Sequence, residues 1–231
     1  MSTRLQIGGW PDTPGDLIRA QEQLAAMTPE PWTVAEGMRA VAGCWICCSK
    51  GKEGKGAAGD PCWAAAALVV DGRLCAVAGA AGHCSSAYEP GLLALREGPW
   101  LEEAVGKLPE MPDLLLVNAT GLDHPRRAGL ALHLGAKLSL PTVGVTRQPL
   151  AAEGDWVAAE RGAMSPLHID GQIVACRLST KRGAQPLVVH PAWRTDLDTA
   201  VAVVMATTGR WRTPEALRES RRAAREARAA G

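Results

Sequence analysis

Pro112-Asp113-Leu114-Leu115-Leu116-Val117-Asn118-Ala119-Thr120-Gly121-Leu122-Asp123-His124-Pro125 is the stretch whose reading decides the fold. Four apolar residues, Leu114 to Val117, read as a short strand buried on both faces, the pattern of a parallel sheet. The run then turns polar at Asn118 and enters a loop carrying His124. Arg126 to Leu138 follows with a helical pattern. Leu140-Pro141-Thr142-Val143-Gly144-Val145-Thr146-Arg147 gives a second buried strand, Thr142 to Thr146, that ends on a cation. Strand, helix, strand implies a parallel crossover. Open α/β sheets place their sites at the C-terminal ends of such strands, where Asn118 and Arg147 sit.

Upstream, Val41 to Cys48 is a further apolar run. Ala64 to Val70 and Leu74 to Ala78 are strands joined by Asp71-Gly72, a hairpin signal. Three antiparallel strands therefore open the sheet. Lys50 to Asp60, rich in Gly and Lys, reads as a loop that does not fit a nucleotide P-loop. Thr13-Pro14-Gly15-Asp16 starts a helix running to about Met27, where Pro29 and Pro31 break it. Gly91 to Leu108 reads as helical with a break near Gly98-Pro99. Ile173 to Ser179 and Leu187 to Val189 are late strands. Thr195-Asp196-Leu197-Asp198 caps a helix to about Thr208, and Thr213-Pro214 opens a last, Arg-rich helix. The expected architecture is α/β, a mixed sheet flanked by helices, in one domain over 1–231.

Composition agrees with a globular fold: 47% apolar and 21% charged residues in 231. No apolar run reaches a membrane span, and the first residues lack the apolar stretch of a secretory signal. No membrane partner and a cytoplasmic location are expected. The net charge of +1 neither demands nor excludes nucleic acid. Seven cysteines, an odd number, argue against a disulfide framework. Cys44-x-x-Cys47 has zinc-like spacing, but in a strand residues three apart face opposite sides, so both read as small hydrophobes.

Three phrases in order, Tyr88-Glu89-Pro90-Gly91-Leu92-Leu93-Ala94-Leu95-Arg96-Glu97, then Pro112 to Arg127, then Leu140 to Arg147, resemble endonuclease V. The resemblance is strongest from Tyr88 to Val145, and weaker at Val41-Ala42-Gly43 and Val189-His190-Pro191. It implies an RNase H-like fold. It also implies a nuclease that recognises deaminated purine in DNA or RNA and cuts the second phosphodiester 3′ to it with Mg²⁺. The family's three metal carboxylates fall here on Trp45, Glu97 and Asn118, so only Glu97 matches. The resemblance assigns catalytic roles to Glu97, His124 and Arg147, with Glu97 and Asn118 as the remaining metal candidates. It assigns nucleic-acid contacts to Tyr88, Arg96, Arg147 and His133.

An indole offers no lone pair to a cation, and Asn118 offers only a neutral carbonyl. The formal charge of the site changes from −3 to −1, and Mg²⁺ favours carboxylate oxygens. Asp113 and Asp123 are candidate substitutes. Further departures are Ala119-Thr120-Gly121 for Gly-His-Gly, Glu89 in the strand-separating wedge, and Trp193 for a later His. Each site residue also has a plainer reading: Glu97 as a solvated helix acid, His124 as a loop histidine, His133 and Tyr88 as packing. Three functions stay open: a nucleic-acid-binding protein with impaired catalysis, an active inosine-directed endonuclease with a rebuilt site, and an interaction protein without nucleic acid. The Arg-rich C-terminal helix, seven Arg and three Glu from Arg210 onward, is a phosphate contact or a solvated face.

Overall fold

The computed structural model describes residues 8–34, 37–49 and 56–231. Most of the Gly- and Lys-rich stretch expected as a loop lies outside the described residues. Among the described residues, five helices and eight strands follow in the order α1 (Pro14–Ala25), β1 (Ala40–Cys48), β2 (Pro61–Val70), β3 (Arg73–His83), α2 (Leu93–Gly106), β4 (Leu114–Val117), α3 (Leu130–Leu138), β5 (Thr142–Thr146), β6 (Met164–Ile169), β7 (Gln172–Leu178), β8 (Leu187–Pro191), α4 (Leu197–Thr207) and α5 (Glu215–Ala230).

One mixed sheet runs β3-β2-β1-β4-β5-β8-β7-β6. The antiparallel opening β1–β2–β3 stands as expected, with β4 parallel to β1 and β5 parallel to β4. This is the RNase H-like arrangement. Alternation along β1 divides the interior into two cores. Ala42 and Cys44 join the cluster beneath α1, α2 and α3, while Val41 joins the cluster beneath α4 and α5. At Gly43 the α5 backbone comes so close that a Cβ would lie 2.5 Å from the Ala216 carbonyl carbon. Only glycine permits that approach, and it fixes α5 directly over β1. Among the described residues no helix is long and apolar enough to cross a membrane.

Three local expectations are corrected. α2 runs unbroken through Pro99. Proline removes the hydrogen bond to the carbonyl four residues back. That carbonyl, Leu95 O, instead accepts from the Ser85 hydroxyl. α3 starts at Leu130 rather than near Arg126, because Pro125 opens a turn and Arg127 takes a left-handed φ of 55°. β6 is an element the sequence reading lacked. It pairs with β7 through Asp170-Gly171, whose φ values of 51° and 75° repeat the geometry of Asp71-Gly72.

Candidate nucleic-acid site

The parallel pairing of β1 with β4 sets Cys44 opposite Val117. Trp45, inside β1, therefore lies beside Asn118, the first residue past the end of β4, and the Asn118 N–H points to the Cys44 carbonyl at 3.4 Å. β5 continues the series, with Thr146 and Arg147 at its end. Trp45, Asn118, Thr146 and Arg147 line one small cleft, closed on its far side by Leu217, Arg218 and Arg221 of α5. The Arg221 guanidinium lies over the Trp45 ring, 5.2 Å from its centroid, a cation–π contact.

Asn118 and Thr146 also line a second cavity of about 120 Å³. Its other walls include Tyr88, Pro90, Gly91, Ala119 and His124. Tyr88 is 39% exposed at its mouth, free to stack on a base. Two cavities thus meet at the ends of β4 and β5, one basic and one mostly apolar.

The Pro90-Gly91 turn is held by a knot of side chains. Gly91 has φ 84°, and its carbonyl accepts from Gln21 Nε2 at 3.0 Å and Arg126 Nη2 at 3.2 Å. His124 Nε2 lies 3.0 Å from the same oxygen, while His124 Nδ1 accepts the Arg126 N–H at 3.1 Å. These partners assign the proton to Nε2. Burial lowers the His124 pKa, a shift that the Gly91 hydrogen bond opposes. Both ring nitrogens are engaged within the chain, so His124 shapes the apolar cavity as a neutral ring.

Other expected residues are placed differently. Glu97, half-buried, stands on α2 and is not among the residues lining either cavity. α2 packs against β1; Glu97 adds to the raised pKa of Cys44, which burial raises most, and of Cys48, which the Cys84 hydrogen bond and burial raise most. Burial raises its own carboxyl to about 7, opposed by the Arg96 guanidinium. Arg96, expected at phosphates, is 2% exposed. Its guanidinium donates to Ala57 O at 2.8 Å and Ser86 O at 2.7 Å and pairs with Asp60 at 3.3 Å. It clamps the segments on either side of the β2–β3 hairpin and presents no face to a ligand. His133, also expected at nucleic acid, is buried on α3 with its ring 4.6 Å from that of Trp10. Trp193, which stands for the family's later His, is buried in the core.

The two substitute carboxylates are engaged elsewhere. Asp113 accepts from Arg39 N and Ala40 N at 2.9 and 2.8 Å, at the opposite end of β1 from Trp45. Asp123, fully buried, accepts from the backbone N–H groups of Leu150, Ala151 and Ala152 at 2.8–2.9 Å. Among the described residues no three His, Cys, Asp or Glu side chains are grouped to hold a metal ion. The donor set of the cleft, an indole, a neutral amide, a hydroxyl and guanidinium groups, has no carboxylate and does not fit Mg²⁺.

Sequence reasoning missed Gln21, Arg218 and Arg221 as site residues. The Arg-rich pattern of the last helix was the only signal for two of them; Gln21 left none.

Burial of His133 has a measurable consequence. Its pKa is pushed down to about 4, by burial first and then by Lys137, against about 6.5 in an unfolded chain. Between these values the unfolded chain binds the extra proton. The stabilising effect is complete above about pH 6.5 and is lost as pH falls towards 4, about 3 kcal/mol in all. His190, lowered by burial against the opposing effect of Asp123, acts in the same direction. Urea midpoints are expected to drop between pH 7 and pH 4.5, and His133→Leu should flatten the drop. An unaltered pH slope in that variant would show that His133 is not the group responsible.

The comparisons agree with this geometry. The sequence profile of the family described as Endonuclease V matches residues 22–222. An Endonuclease V of Geotalea uraniireducens is 42% identical over 139 residues, 60% of this chain and 59% of that protein. The alignment thus spans less than two thirds of that relative. The crystal structure of the Streptomyces avermitilis Endonuclease V superposes with a TM-score of 0.83 at 34% identity, covering 99% of both chains. The Ciona intestinalis Endonuclease V, solved with a 24mer DNA containing an inosine followed by a ribo-adenosine, shares the fold at 18% identity. Its TM-score is 0.74, over 94% of this chain and 98% of that one. The sheet order, the strand-end cleft and the profile over 22–222 lead to one assignment: this chain belongs to the Endonuclease V family.

Proposed function

We propose that this chain is a nucleic-acid-binding protein of the Endonuclease V family whose phosphodiester hydrolysis is strongly impaired. The observation that carries the reading is Trp45 of β1 beside Asn118 at the end of β4, with Asp113 and Asp123 held by backbone amides elsewhere. In the family, metal-assisted hydrolysis relies on the ion to supply the nucleophile and to neutralise the phosphate. The residues here do not supply its ligands. The cavity lined by Tyr88, Pro90, Gly91 and Ala119 supports recognition of an unpaired base. The Ciona relative's inosine-containing DNA suggests a deaminated purine as that base.

The test is cleavage of inosine-containing DNA and RNA strands with Mg²⁺ and with Mn²⁺, beside a binding measurement on the same strands. Binding with no product above a protein-free control is the expected result. Robust Mg²⁺-dependent cutting by the unmodified chain, abolished by Glu97→Ala, would overturn the reading in favour of an active inosine-directed endonuclease. Absence of binding at low salt would favour an interaction protein.

A further inference from the structure

We infer that the cleft between Trp45 and α5 holds a phosphate of a nucleic-acid strand by guanidinium contact, with no metal ion. Arg221, seated on the Trp45 ring, supplies the positive charge there. The inference rests on the nucleic-acid-binding reading above and names how that binding is made.

The cleft contains Arg147, Arg218 and Arg221 and no carboxylate in its lining. It shares Thr213, Arg218 and Arg221 with a groove of about 610 Å³ along α5, where Trp211, Arg212, Arg222 and Arg225 add to the wall. The acids of α5 are already paired. Glu219 bonds Arg218 and Arg222, Glu226 bonds Arg222, and Glu215 bonds Arg218. Among the described residues Arg147 and Arg221 have no carboxylate partner. The buried Nε of Arg218 has no acceptor either. The guanidinium groups also repel one another: after burial, Arg147 is the next cause that lowers the pKa of both Arg212 and Arg221.

Unpaired cations gathered in a concave site favour an anion. Planar guanidinium forks match the oxygens of a phosphate. The Trp45 indole keeps Arg221 from collapsing onto a neighbour and orients it across the cleft. Asn118 Nδ2 can donate to the same anion. Trp211, 42% exposed beneath Arg210 and Arg218, adds an aromatic face beside the cationic groove, the combination that single strands stack and track along. The adjoining apolar cavity meets this cleft at Asn118 and Thr146, so a phosphate held here lies next to a base held there.

The experiment is a salt titration of a fluorescent inosine-containing single-stranded oligonucleotide, in EDTA and in Mg²⁺. It compares the full chain with Arg147→Ala, with Arg221→Gln, and with both changes together. The expected result is binding in EDTA at least as tight as in Mg²⁺, since added cations compete for the phosphates. In the double variant the slope of log affinity against log salt should be shallower by about 1.4, two phosphate contacts at about 0.7 each for a single strand. Arg147 is exposed, so Arg147→Ala tests the cleft even if Arg221→Gln perturbs folding. Binding by the unmodified chain that requires Mg²⁺, or a slope the variants leave unchanged, would overturn the inference and leave the functional reading standing. No binding by the unmodified chain under any condition would overturn both.

Discussion

The chain carrying Trp45→Asp and Asn118→Asp is expected to gain Mg²⁺ affinity and inosine-directed cleavage, and to gain further Mg²⁺ affinity when Arg221→Ala is added. The two changes return carboxylates to the strand ends where a hard cation needs oxygen donors. Loss of partners that merely orient metal ligands costs ~10–100-fold in affinity or activity. Loss of two direct ligands should cost at least that, which sets the scale of the expected gain. Arg221 matters because its guanidinium already lies over position 45. A new carboxylate there would pair with it and be withdrawn from the ion. Trp45 is only half-buried, so removing it should fall below the ~3–5 kcal/mol of a fully buried Trp truncation. Rescue is to be scored on variants whose thermal unfolding stays cooperative. Ala119→Gly is the further step if Mg²⁺ binds without cutting, since Ala119 lines the apolar cavity. A folded triple variant with no more Mg²⁺ affinity than the parent would show that the lost carboxylates are not what separates this chain from a metal-binding site.

The second large effect is on stability. Asp123→Ala removes the acceptor of three backbone N–H groups at 150–152. A buried donor left without a partner costs about 1–3 kcal/mol. Leu150 is exposed and can be rehydrated, whereas Ala152 is buried. A loss of about 3 kcal/mol is expected, read from the urea midpoint at constant m. Asp123→Asn keeps one acceptor oxygen and should lie between. The segment begins three residues after Arg147, so the variant should also weaken oligonucleotide binding while folded. A midpoint unchanged in Asp123→Ala would mean that this carboxylate is not the anchor of the segment.

These expectations depend on different layers of the molecule, and the layers were unequally legible. The strand ends could be read directly. Leu114–Val117 and Thr142–Thr146 are short apolar runs ending in polar residues, and burial on both faces of a parallel strand leaves that mark on the sequence. The Asp71-Gly72 hairpin carried its own turn chemistry. So did Asp170-Gly171, and the neighbouring β6 was overlooked although the same signal stood beside it. Pro99 misled for a physical reason. The rule against proline inside a helix concerns an unpaired carbonyl, and Ser85, fourteen residues earlier, satisfies that carbonyl from outside the helix.

By itself the sequence determined the family and the strands from β1 to β5. Those depend on contiguous phrases, on period-2 and period-3.6 burial, and on which atoms a side chain possesses. Only the tertiary structure decided what each polar side chain does. Arg96 is buried against the 57–60 segment, and His124 shares the Gly91 carbonyl with Gln21 and Arg126. Asp123 holds the chain after β5, and Arg221 covers Trp45 from the last helix. Most of these partners are separated by tens of residues or more along the chain. A charged or amide side chain has long reach and several donors or acceptors, so its final direction is set by whichever remote groups folding brings within hydrogen-bonding distance.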